Sequence, residues 1–123
     1  MKPLTVVVAQ VEPQSAESLA VALRHHFKAV YVARDFEEAR VAVPRHRADL
    51  LVVDLELTSL AAIEQLRREL PATAVVCTHR LADQSLWERA LAAGALDCCH
   101  TSDVRSIVLA ADQEHGIAAS GAA

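Results

Sequence analysis

Short apolar runs alternate with amphipathic stretches along almost the whole chain. Thr5–Ala9 is continuous and β-branched, the pattern of a strand covered on both faces. Glu12-Pro13 ends it. Ser15–Phe27 follows, with Leu19, Leu23 and Phe27 at four-residue spacing, which predicts one buried helix face. Ala29–Ala33 is the second strand-like run. Asp35 is placed to cap the next helix, with Glu38 completing a capping box. Ala39 and Val43 supply that helix's inward face, and Pro44 stops it by removing a backbone donor.

The pattern then repeats. Leu50–Val53 is a third apolar run and leads straight into Asp54. Thr58-Ser59 opens a helix through Leu70, with Ile63, Leu66 and Leu70 inward and Pro71 as the stop. Ala74–Cys77 predicts the fourth strand, ending at Thr78. Asp83–Ala93 predicts a helix closed by Gly94, a residue suited to the left-handed position after a helix. Leu96–Cys99 predicts the fifth strand, and Ser102 or Asp103 caps a last helix to about His115. Five βα units of this kind predict a parallel sheet with helices on both faces. A domain over residues 1–115 is expected, with 116–123 as a flexible tail or the start of a linker.

Composition narrows the function classes. The 123 residues are 53% hydrophobic, enough for one core. No apolar run approaches the ~20 residues of a membrane span, and Leu4–Ala9 is too short for a signal peptide. A cytoplasmic protein is expected. The net charge of −4 and the lack of a basic run argue against nucleic-acid binding. With three glycines in the chain, no Gly-x-Gly-x-x-Gly follows the first strand, so a dinucleotide site is not indicated.

In doubly wound sheets, chemistry gathers at the carboxyl ends of the strands. Those ends carry Gln10, Val11 and Glu12, then Asp54, then Thr78 and His79, then His100, Thr101 and Ser102. Asp54 stands out as a carboxylate at the rim of an apolar sheet. Taken alone, an aspartate here is more commonly a helix-capping or solvated loop residue.

The order of elements, with Ala48-Asp49-Leu50-Leu51-Val52-Val53-Asp54, Val75-Val76-Cys77-Thr78 and Ala90-Leu91-Ala92-Ala93-Gly94-Ala95, resembles a response-regulator receiver domain from Thr5 to His115. The resemblance implies a flavodoxin-like (βα)5 three-layer sandwich with strand order 2-1-3-4-5. It also implies a phosphoryl-acceptor aspartate at Asp54 and a phosphate-contacting switch residue at Thr78. Other family positions depart from the pattern. Aligning Glu12-Pro13 with the family's Glu-Pro puts Gln10 and Val11 where an acidic pair holds Mg²⁺. Thr101 stands where the family has lysine, and Cys98 where it has an aromatic switch residue.

Phosphoryl transfer depends on positioning and on cations that neutralise developing charge. Mg²⁺ asks for octahedral oxygen coordination. With the pair and the lysine gone, Asp54 and the carbonyl of Glu56 are the remaining Mg²⁺ ligands, and binding is expected to be weak or absent. No other cofactor is expected.

Cys77, Cys98 and Cys99 with His79 and His100 raise a thiol or zinc sensor as a third class. Against it, neighbouring strand residues point to opposite faces, so Cys98 and Cys99 cannot readily share a metal. Cysteine is also a common small apolar filler. Trp87 is expected to be core or half-buried packing, and His25-His26 to close a helix at its cation-favouring end.

The leading expectation is a non-enzymatic, atypical receiver that signals through protein contacts with a histidine kinase or a downstream effector. In the family, the fourth helix, fifth strand and fifth helix form the partner face. Here that face would present Trp87, Leu91 and Cys99, and it could also serve a homodimer. The alternative is a conventional receiver phosphorylated on Asp54.

Overall fold

The computed structural model describes residues 2–122, with side chains described as far as Gln113. Ten elements alternate: β1 (Lys2–Ala9), α1 (Pro13–Arg24), β2 (Phe27–Ala33), α2 (Phe36–Arg45), β3 (Leu50–Asp54), α3 (Leu60–Glu69), β4 (Ala74–Thr78), α4 (Gln84–Ala92), β5 (Asp97–Cys99) and α5 (Val104–Ala122). The strands form one parallel sheet of order β2-β1-β3-β4-β5. This is the flavodoxin-like arrangement.

Period-two alternation divides the core into two layers. Val6, Val8, Leu50, Val52 and Val76 face α1 and α5, where Leu19, Leu23 and Ile107 meet them. Val7, Ala9, Leu51, Val53, Val75 and Cys77 face the other way, against Ala39 and Val43 of α2, Ile63 and Leu66 of α3, and Ala90 of α4. A strand buried on both faces needs no polar positions, which is why Val6–Ala9 of β1 and Leu50–Val53 of β3 read as unbroken apolar runs.

Caps follow the sequence closely. Ser59, Asp83 and Asp103 each accept a hydrogen bond from a main-chain N–H three residues on. Asp35 does so from Glu38. The second half of the predicted capping box differs, since the Glu38 carboxylate accepts from the N–H and Nε of Arg34 rather than closing on Asp35. Pro44 sits in the last turn of α2, one residue before its end.

Phe27 departs from expectation. Its spacing from Leu23 fits a helix face, yet α1 ends at Arg24 and Phe27 begins β2, fully buried. The turn at His25 and His26 redirects the chain, so one buried ring serves the same core layer from a strand. The backbone of α5 continues past His115 to Ala122. The expected tail at 116–123 falls on residues whose side chains lie outside the described set.

Candidate functional site

The carboxyl ends of β1, β3, β4 and β5 are brought level by register. Ala9 pairs with Val53, Asp54 with Thr78, and Thr78 with Cys99. Gln10, one residue past the Ala9–Val53 pair, therefore stands beside Asp54, and Thr78 stands on its other side.

Asp54 is 4% exposed, and both its oxygens are engaged. Oδ1 accepts from the main-chain N–H of Glu56 at 2.9 Å, and Oδ2 from that of Val11 at 3.2 Å. Each bond draws a loop towards the carboxylate: the one after β3 and the one between β1 and α1.

Gln10 and Thr78 are also buried, at 2% and 0% exposure. The Gln10 Nε2 donates to Thr78 Oγ1 at 2.9 Å, spanning from the end of β1 to the end of β4. Among the described residues, Gln10 Oε1 is buried without a hydrogen-bond partner. Val11 presents a side chain that is 41% exposed and apolar.

An open pocket of about 430 Å³ sits over these strand ends, lined by Gln10, Val11, Asp54, Glu56, Arg80 and Thr101, among others. Ser15 and Thr101 also border a neighbouring hollow reaching along α1 to Val104. Arg80 was not anticipated from the sequence. Its Nε donates to Glu56 Oε1 at 2.7 Å, which joins the loop after β4 to the loop after β3. His79 Nε2 lies 3.7 Å from the same oxygen. A signal for Arg80 exists only in hindsight: it lies two residues past Thr78, on the loop that the sheet order brings next to Glu56.

The sequence-predicted residues thus separate into two groups. Gln10, Val11, Asp54, Glu56 and Thr101 line one pocket, with Thr78 beneath it. Trp87, Leu91 and Cys99 lie away from it. Trp87 is 38% exposed, and its indole Nε1 donates to Asp97 Oδ1. Leu91 is half-buried. Cys99 is 7% exposed and packs in the core layer with Ile107, so it offers no surface to a partner. Strand alternation sends Cys98 to the opposite layer, beside Cys77.

The thiols are free and buried. Burial, helped by neighbouring Cys98 and Cys99, pushes Cys77 up to about 12. Burial and then Asp97 push Cys98 to about 11 and Cys99 to about 12. Such thiols stay protonated and make poor nucleophiles or metal ligands. Among the described residues, no group of three or more His, Cys, Asp or Glu is placed to hold a metal ion. No helix among them is long and apolar enough to cross a membrane.

The βα sandwich, with an aspartate ending β3 and a threonine ending β4, has the fold of response-regulator receiver domains. Solved structures share that likeness. A response regulator from Thermotoga maritima matches with a TM-score of 0.77 and 26% identity, over 92% of this chain and 97% of that one. The signal receiver domain of the putative response regulator NarL from Mycobacterium tuberculosis matches with a TM-score of 0.74 and 19% identity, over 93% and 96%. In sequence, the probable transcriptional regulatory protein TcrX of Mycobacterium tuberculosis is 33% identical over 78 residues, 61% of this chain. The match spans about a third of that relative's length. No protein-family model matches the chain.

Proposed function

We propose that the chain is an atypical receiver-like module of two-component signalling. In this reading it is not an enzyme, works in the cytoplasm, and acts through contacts with a histidine kinase or a downstream effector. One observation carries the reading. The two positions beside Asp54 that would supply metal-binding carboxylates hold an amide committed to Thr78 and an apolar side chain.

That donor set does not fit Mg²⁺, which asks for several oxygen ligands in near-octahedral array. Of the carboxylates lining the pocket, Asp54 already accepts main-chain hydrogen bonds on both oxygens, and Glu12 sits in the exposed turn before α1. Glu56 offers its N–H to Asp54 and commits its side chain to Arg80. Thr101 supplies a hydroxyl where the family has a cation. Phosphoryl transfer to Asp54 is therefore poorly served.

Incubation with acetyl phosphate or beryllofluoride and Mg²⁺ tests this. Intact mass is expected to show little phospho-Asp54, and Trp87 fluorescence little change. Stoichiometric modification with a marked spectral change would sink the proposal.

The conventional acceptor is the second reading, favoured by the Asp54–Thr78 register and by Arg80 as a cation lining the same pocket. It expects Asp54→Asn to abolish signalling in cells, whereas a contact module tolerates that change. For the contact surface itself, Trp87 and Leu91 with the exposed Leu109 of α5 are the residues to test, whether for an effector or a second copy of the chain.

A further inference from the structure

We infer that Gln10 is a latch: its amide fixes the Thr78 hydroxyl and, through it, the loop from His79 to Ala82, whatever the state of Asp54. This extends the reading that the site is poorly served for phosphoryl transfer, and it names the residue that holds the switch position still.

Strand order sets the geometry. β1 and β4 are not neighbours, since β3 lies between them. Two strand spacings separate their backbones by about 9–10 Å, so a main-chain hydrogen bond cannot join them. The Gln10 side chain crosses that gap at the level of Asp54 and donates to Thr78 Oγ1 at 2.9 Å. An aspartate or asparagine at position 10 is one methylene shorter. The length of glutamine is what lets a residue of the first strand hold a residue of the fourth.

Burial argues against simple filling. Gln10 is 2% exposed and leaves Oε1 without a partner among the described residues. A buried polar atom in that state is costly. A leucine or methionine would fill the space without that cost. What glutamine adds is the bond to Thr78.

The loop that follows Thr78 depends on its position. The N–H of His79 donates to the Cys99 carbonyl, that of Leu81 to His79 Nδ1, and that of Ala82 to the His79 carbonyl. The Arg80–Glu56 ion pair ties the same loop to the one after β3. With Thr78 held by Gln10, the root of this loop is fixed from the β1 side and its middle from the β3 side. A change at Asp54 then has no free hydroxyl to recruit and no slack loop to move.

Native-state hydrogen exchange on the full chain tests this without any phosphoryl donor, so its failure is distinguishable from failure of the functional reading. Gln10→Met and Thr78→Val each remove the bond. Thr78→Ser keeps a hydroxyl in place. In the first two variants the amides of His79, Leu81 and Ala82 are expected to exchange about tenfold faster or more. The amides of Val6–Val8 and Leu51–Val53 are expected to accelerate less than those of the loop, by no more than the loss of global stability requires, and Thr78→Ser to match the unaltered protein. Unchanged exchange in the loop overturns the latch. Equal acceleration across β1, β3 and the loop also overturns it, because that reports a general loss of stability rather than a local release.

Discussion

Trp87 donates its indole N–H to Oδ1 of Asp97 at 2.9 Å, tying α4 to the first residue of β5. The same oxygen accepts the N–H of Cys98 at 2.8 Å. One carboxylate therefore orients the helix and starts the short edge strand. Trp87→Phe keeps most of the ring but loses the bond. We expect it to cost ~0.5–1.5 kcal/mol, the usual net worth of a hydrogen bond, and towards the lower end because the indole is partly exposed. Urea unfolding followed by circular dichroism measures this. A loss above ~3 kcal/mol would mean that Trp87 is a core residue instead.

The Gln10–Thr78 pair is open to a double-mutant cycle. Gln10→Leu leaves the Thr78 hydroxyl buried and unpaired, and Thr78→Val leaves the whole Gln10 amide unpaired. Each is expected to cost ~1–3 kcal/mol. Removing both polar partners is expected to be nearly neutral, because no orphan is left behind. The coupling should then exceed ~1 kcal/mol, within the range for residues in contact. Additive losses in equilibrium unfolding would show that the two side chains do not interact in solution.

Gly94 closes α4 with φ at +104°, and a Cβ built there meets Arg67 Cγ at 3.4 Å. The space is tolerable, but the backbone is not, since L side chains rarely adopt that conformation. Gly94→Ala is expected to destabilise by ~1–3 kcal/mol, with a drop of several degrees in thermal midpoint. Calorimetry checks it, and an unchanged midpoint would mean that the helix end rearranges at no cost.

Much of this fold was legible because its determinants are local. Apolar runs gave the strands. Asp83, Asp103 and Ser59 announced helix starts, and Gly94 announced an end. The miss at Phe27 has a local cause as well: Leu23 and Phe27 have helical spacing, and only the turn at His25-His26 shows that the second belongs to a strand. The candidate site was legible by position but not by bonding. Asp54, Thr78 and Gln10 could be placed at strand ends, yet the reach of Gln10 over β3 needs the sheet order and a buried side-chain conformation. Arg80 was missed because its partner, Glu56, is far away in sequence. Cys99 is placed on a surface by the resemblance alone, which carries the family's partner face over by position; strand alternation instead turns this residue to the α5 side of the core.

The three buried thiols predict a pH dependence. Burial disfavours the thiolate, so the folded values of about 12, 11 and 12 for Cys77, Cys98 and Cys99 lie above the 9.0 of an unburied thiol. The folded state therefore holds these protons more tightly than the unfolded state. Their contribution to stability is fully present below pH ~9 and is lost as pH rises from there towards 11–12. Unfolding by urea is expected to show a flat contribution near neutrality and a decline above pH ~9. A variant with Cys77→Ala, Cys98→Ala and Cys99→Ala should show a shallower decline. Thiol labelling with a disulfide reagent gives the companion measurement. In the folded protein near neutral pH it should be slow and limited by opening, and in urea it should be fast and complete. Rapid native labelling would place at least one thiol at the surface and revive a redox role for Cys98 or Cys99.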